Sequence, residues 1–251
     1  MSKIAQAFAR GKAFIPFITC GDPDLETTAA AVRAAVENGA DLIELGIPFS
    51  DPTAEGELMQ NGALRALKNG VSVKDAITFT QKAAQAGIPV ILKSYANVVL
   101  HYGIEAFAEQ AAQAGACALY LFDVPLEERQ EFLPALQKHS LPLLSSISTG
   151  AEARLPLICQ NAQGCLLCEG LPGEGSDALF RLAKLAKEQC SLPLVLELGL
   201  CSPDQAAQAA GLSCSVSLGE SIAAIIELYG TAAIPRAETY VAGIKAAMRS
   251  V

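Results

Sequence analysis

Eight short apolar runs recur along the chain, at residues 14–19, 42–47, 90–95, 116–123, 142–148, 164–169, 193–198 and 214–218. Their apolarity is continuous rather than alternating, which marks strands covered on both faces, as the strands of parallel sheets are. Ala-rich segments with helical spacing lie between them, including 27–38, 103–114 and 176–189. Gly39, Gly87 and Gly115 stand just before the next run, and Gly164 opens one. That is the signal of a helix that ends and turns back into a strand. The runs begin roughly 20–30 residues apart, except for about 48 between the second and the third. Eight strand-plus-helix units in 251 residues predict one α/β domain over 1–251, a (β/α)8 TIM barrel preceded by an N-terminal helix. A doubly wound open sheet is the rival pattern, but no G-x-G-x-x-G follows the first run. The long gap predicts an inserted loop and extra helix at about 50–68. Barrel enzymes build their sites from loops at the C-terminal strand ends, so chemistry is expected there first.

Composition narrows the function classes. About half the residues are hydrophobic and Trp is absent, so the core is built of Ala, Leu, Ile and Val. A formal charge of −8 argues against nucleic acid and anionic membranes as partners, since both attract basic patches. The N-terminal stretch lacks the apolar centre of a signal peptide, and no run approaches the ~18 residues of a membrane span. These features predict a soluble cytoplasmic protein acting on a small molecule. The eight Cys residues lie mostly in or beside the apolar runs. The C-x-x-C of Cys165 and Cys168 would point to opposite faces of a strand, so buried reduced thiols are expected and no metal site. His101 falls past the third strand and His139 at an exposed helix end, and neither adds chemistry.

One position breaks the apolar second run. Glu44 stands where a barrel strand points inward, and a lone buried carboxyl is costly unless paired or neutral. Desolvation raises its pKa toward the range useful for general acid–base work; the bland reading is a structural Glu bonded to a polar neighbour. The surrounding stretches are specific: PFITCGDPDLETT from Pro16, ADLIELGIPFSDPTAEG from Ala40, YANVVLHYGIEAF from Tyr95 and DVPLEE from Asp123. Together they resemble the α subunit of tryptophan synthase, in register over nearly the whole chain. The resemblance implies a (β/α)8 lyase of tryptophan biosynthesis, working in a hetero-oligomer. Such an enzyme cleaves indole-3-glycerol phosphate to indole and glyceraldehyde 3-phosphate. It implies Glu44 as the general acid–base. Glu55 takes the place of the family's loop aspartate, which bonds the indole N–H. Phe17 and Tyr95 match its indole pocket. No cofactor is implied in this chain. Pyridoxal phosphate belongs to a β-type subunit, met through the loop around Asp51.

Departures from the family pattern cluster in the distal half. Its S-R-x-G-V-T-G loop after strand six reads Cys168-Glu169-Gly170-Leu171-Pro172-Gly173-Glu174-Gly175 here, its G-F-G reads Glu197-Leu198-Gly199, and its phosphate-binding G-S reads Gly219-Glu220. Gly199 and Gly219 could still offer amides to an anion, with Ser221 supplying a hydroxyl one position late. Glu169, Glu174, Glu197 and Glu220 would repel a phosphate if they face the pocket. The plainer alternative is that they point to solvent or cap helices. Lys93 shares a face with Tyr95 where the family is apolar. It is open to three roles: a partner that lowers the Glu44 pKa, a balance for the extra acids, or an amine nucleophile. Two further functions follow as alternatives, a diverged barrel taking a non-phosphorylated substrate and a non-catalytic regulator of a β-like subunit.

Overall fold

A computed structural model describes residues 3–9, 11–171 and 173–251. The eight apolar runs form eight strands: β1 (Phe14–Thr19), β2 (Ile43–Gly46), β3 (Val90–Ser94), β4 (Ala118–Leu121), β5 (Ser145–Ser148), β6 (Leu166–Glu169), β7 (Leu194–Glu197) and β8 (Ser215–Leu218). Most are shorter than their runs because the flanking apolar residues serve as lead-in and exit segments. Every pairing is parallel, in the order β4-β3-β2-β1-β8-β7-β6-β5. The ring closes between β4 and β5, where the described residues form one isolated bridge, Leu119 to Leu143. The Leu144 amide there donates to the Leu119 carbonyl at 2.8 Å. Carbonyls that this thin seam leaves without strand partners accept from Arg129, in the 3-10 turn Leu126–Glu131. Its guanidinium donates to Leu143 O, to Leu144 O at 3.1 Å and to the Ser145 hydroxyl at 2.7 Å. The predicted (β/α)8 barrel is therefore the architecture of the chain.

Local chemistry explains the helices. Asp24 caps the helix Leu25–Glu37 by accepting from the Thr27 amide at 2.6 Å. Ser72 with Asp75, and Ser202 with Gln205, form reciprocal capping boxes. Gly115 ends the helix Ile104–Ala114 at φ 93°, a left-handed conformation that a side chain would strain. The small Ala faces of these helices pack on the outer surfaces of the strands.

The barrel interior has two parts. Its floor is apolar: Ile15, Leu42, Ile91, Leu144, Leu167 and Val195 pack together, and Ile4 and Phe8 of the N-terminal helix Lys3–Phe8 belong to the same cluster. Cys165 belongs to this inner cluster and Cys168 to the outer one, on opposite faces of the strand as their spacing predicts. Above the floor the inward positions turn polar, and that change of character marks the site. The long gap after β2 holds an extra helix, Glu57–Lys68, followed by Val73–Gln85, which is the barrel's own return to β3. Arg65 of the extra helix bonds both oxygens of buried Asp22 at 2.7 and 3.0 Å and reaches Glu227 at 2.9 Å. This fork fastens the insertion over the barrel mouth. Among the described residues no helix is long and apolar enough to cross a membrane.

Candidate active site

Alternation along the parallel strands sends Phe17, Glu44, Lys93, Tyr120, Glu169, Glu197 and Ser217 inward. Above them opens a cavity of about 540 Å³ at the C-terminal strand ends. Phe17, Met59, Phe122 and Leu179 supply its apolar walls, and Glu55, Lys93, Glu169, Glu174, Glu197 and Glu220 its charged ones. Gly46 makes room for the Phe17 ring, since a Cβ there would meet Phe17 Cζ at 2.4 Å.

Glu44 is 0% exposed, and points into the barrel. It lies one layer beneath the cavity wall and touches that wall through Lys93, whose Nζ stands 3.1 Å from Glu44 Oε2. Ser217 donates to the same oxygen at 2.5 Å, while Oε1 finds no hydrogen-bond partner. Burial, and next the nearby Glu197 charge, push the Glu44 carboxyl up to about 8, against the opposing pull of Lys93 and Ser217. A carboxyl with that value holds a proton at neutral pH and can give it away.

Lys93 is 2% exposed and sits among the rings of Phe17, Tyr120 and Phe122, 5.3 to 5.8 Å from their centres. It lies closer to Glu197, at 2.8 Å, than to Glu44. Burial alone would lower its pKa, but Glu197 and Glu44 outweigh that and hold it above the ordinary lysine value. A cation so held is a poor nucleophile, because an attacking amine must first lose its proton. Of the three roles open to Lys93, the structure therefore displays the pairing with Glu44 and the balancing of the acids. The pairing does not drain Glu44 of its proton, because desolvation and Glu197 outweigh it.

Glu55 reaches the cavity from the inserted loop and accepts from the Tyr95 hydroxyl at 3.1 Å. Burial raises its carboxyl to about 7, with Tyr95 and then Lys93 pulling the other way. Across the cavity, Glu169 accepts from the Tyr120 hydroxyl at 2.7 Å, and burial together with Glu197 raises its pKa. Glu174 accepts from the Thr149 hydroxyl. Glu220 opens the helix Glu220–Tyr229 and folds its carboxylate over two glycines. A Cβ on Gly56 would lie 2.3 Å from Glu220 Oε1, and one on Gly199 3.3 Å from Oε2. All four distal acids thus line the cavity, Glu169, Glu197 and Glu220 partly buried and Glu174 at its solvent-exposed edge.

Most of the sequence-predicted residues meet here: Glu55, Phe17, Lys93, Gly199, Gly219 and Glu220 on the cavity wall, with Glu44 directly below. Two do not. Tyr95 is buried behind Glu55, flanked by Phe49 and Phe122, so it positions the carboxyl instead of lining the cavity. Ser221 is turned into the fold: its hydroxyl donates to Gly199 O at 3.0 Å and also meets Tyr240 OH, so it has nothing to offer a ligand. Of the loop at 168–175, Pro172 lies outside the described residues. Sequence reading missed Ser217, Tyr120 and Phe122. Ser217 was marked by the alternation Ser215-Val216-Ser217, which sends the two hydroxyls to one face. Tyr120 and Phe122 carried no mark beyond their place in an apolar run.

Comparison with known proteins gives consistent neighbours. The family described as "Tryptophan synthase alpha chain" matches residues 4–249. The tryptophan synthase alpha chain of Geotalea uraniireducens is 36% identical, over 100% of this chain and 99% of its own. That of Lacticaseibacillus casei is 34% identical over 90% of this chain and 88% of its own. The crystal structure of tryptophan synthase subunit alpha from Legionella pneumophila strain Paris superposes with a TM-score of 0.90 at 32% identity, covering 100% of both chains.

Proposed function

We propose, given that this chain belongs to the tryptophan synthase alpha chain family, that it is a carbon–carbon lyase cleaving indole-3-glycerol phosphate to indole and glyceraldehyde 3-phosphate. The observation that carries this reading is the buried Glu44 carboxyl, still protonated near neutrality, beneath a cavity with aromatic walls. In the reaction Glu44 gives its proton to indole C3. The bond from C3 to the glycerol chain then breaks as the chain hydroxyl passes its proton to the carboxylate left on Glu44 and becomes the aldehyde, the bonding pair returning to the indole ring. Glu55, held by Tyr95, accepts the indole N–H and stabilises the cation formed on the ring. Glu55 has one methylene more than the family's aspartate, and the Tyr95 bond fixes where that longer arm ends. For Glu44 to touch indole, Lys93 must lean toward Glu197, its nearer partner.

The chain needs no cofactor for this chemistry, and in this reading pyridoxal phosphate belongs to a β-type partner. The exposed loop at Ser50, Asp51, Thr53 and Ala54 is the surface that meets this partner. Release of indole from indole-3-glycerol phosphate, by the pure protein alone and with its cognate β subunit, is the decisive assay. No turnover in either state refutes the proposal.

One observation favours a second reading, that the barrel takes a non-phosphorylated substrate. Glu169, Glu174, Glu197 and Glu220 all border the distal cavity, where a phosphate would be held. Each carboxylate about 4 Å from a phosphate charge costs about 4 kcal/mol at an effective dielectric near 20. This reading expects negligible affinity for glycerol phosphate and faster turnover of the dephosphorylated indole-glycerol. Tight phosphate binding at Gly199 and Gly219 ends it.

A further inference from the structure

Three ionisable side chains from three strands meet at the base of the cavity, Lys93 and Glu197 on its wall and Glu44 beneath, and the lyase reaction uses only Glu44. Lys93 Nζ lies between Glu197 Oε1, at 2.8 Å, and Glu44 Oε2, at 3.1 Å. One ammonium therefore serves two carboxyl groups in a nearly dry place. Were both carboxyls ionised, the trio would carry a net negative charge away from water, which is costly. One proton is therefore retained, and the hydrogen bonding decides where. Glu197 keeps 16% of its side chain exposed and holds the closer contact to the cation. Glu44 is sealed, and its Oε1 has no donor to stabilise a charge. A carboxylate oxygen without a donor loses most when charged, so the neutral form belongs to Glu44.

We propose that Glu197 on β7 is a positioning residue for the reaction, holding the Lys93 ammonium so that Glu44 keeps the proton it must deliver. The inference rests on Glu44 as the proton donor. Other groups facing the trio do not change the arrangement. Ser217 from β8 bonds Glu44 Oε2, Cys165 from β6 is a thiol held neutral by burial, and Phe17 from β1 is apolar. Glu169 from β6 is engaged by Tyr120 of β4, and Glu55 of the inserted loop by Tyr95. Without Glu197, Lys93 would have Glu44 as its direct carboxylate partner. Glu44 would then lose its proton at lower pH.

The test is the pH profile of turnover in three variants, beside an infrared titration that needs no turnover. In Glu197→Gln the alkaline limb falls by about one pH unit or more, a tenfold change in proton concentration. In Lys93→Leu it rises. In the double variant Lys93→Leu/Glu197→Gln, which removes one charge of each sign, it returns close to the parent value. A residue that merely supports the fold would lower activity at every pH and leave the limb in place. An unmoved limb in Glu197→Gln, or a lowered limb persisting in the double variant, overturns the proposal. The infrared arm follows the carboxylic-acid carbonyl band that appears in the difference spectrum of the folded parent protein minus Glu44→Gln at neutral pH, which isolates Glu44 from the other buried acids Glu55 and Glu169. Its absence overturns the proposal even if Glu197→Gln fails to fold. If the band titrates as expected but indole-3-glycerol phosphate is not turned over, the trio stands and the substrate reading fails alone.

Discussion

Replacing Glu220 with Ser restores the family's residue after Gly219 and removes the carboxylate folded over Gly56 and Gly199. The effect on a phosphorylated ligand can be worked from that position. An anion at the start of the helix Glu220–Tyr229 would meet the backbone amides there, which favour it, and the Glu220 carboxylate, which opposes it. At ~4 Å and an effective dielectric near 20, the repulsion is about 4 kcal/mol. Glu220 is only partly buried, so screening by solvent and salt cuts this to about half, or about 2 kcal/mol. That corresponds to roughly a 30-fold gain in affinity. Calorimetric titration with glycerol phosphate at two salt concentrations measures it, with the gain smaller at the higher salt. Glu220→Gln separates charge from bulk, because it keeps the volume and loses the charge. If both variants bind glycerol phosphate no better than the parent, the electrostatic reasoning is wrong, and the phosphate end of the site lies elsewhere.

Three further outcomes follow from the site and its supports. Glu44→Gln keeps the shape but cannot give up a proton as an acid, so kcat for indole release falls by about 10²–10⁴-fold while the far-UV spectrum is unchanged. Burial raises the Glu55 carboxyl to about 7 against the pull of Tyr95, so Tyr95→Phe, which removes that hydrogen bond, leaves Glu55 protonated to still higher pH. The acid limb of the rate profile then climbs by about one pH unit, the worth of one hydrogen bond to a charged group; a limb that stays put contradicts the role given to Glu55. Arg65→Met leaves buried Asp22 without its fork and loosens the inserted helix, costing about 1.5–3 kcal/mol in urea denaturation.

The barrel was legible because parallel strands buried on both faces leave a continuous apolar run, and eight such runs were written between Ala-rich helices and turn-back glycines. The arrangement of charges was less so. Glu44, Glu55 and Lys93 could be placed near one another from strand parity and loop position. Which carboxyl keeps a proton depends on cross-barrel distances between β2, β3 and β7, and Glu197 stands 104 positions from Lys93 in the chain. Ser221 shows the limit most clearly. A hydroxyl beside a helix start reads as a ligand donor, yet the carbonyl of Gly199 and the hydroxyl of Tyr240, set by tertiary packing, claim it first. Tyr95 was placed at the right site but in the wrong layer, since parity tells which face a side chain takes and not what stands in front of it.

The seam between β4 and β5 bears on how the molecule can breathe. Elsewhere around the ring, neighbouring strands share runs of backbone hydrogen bonds; here one bridge and the fork of Arg129 clasp the hoop. The Tyr120 and Ser146 hydroxyls, 3.0 Å apart, link the same two strands at the level of the cavity. A widening of the hoop starts where the clasp is, and it would carry Tyr120, and with it Glu169, away from the rest of the pocket. The tightness of the cavity thus rests partly on Arg129, a side chain outside its wall that helps the bridge and the hydroxyl pair hold the seam shut.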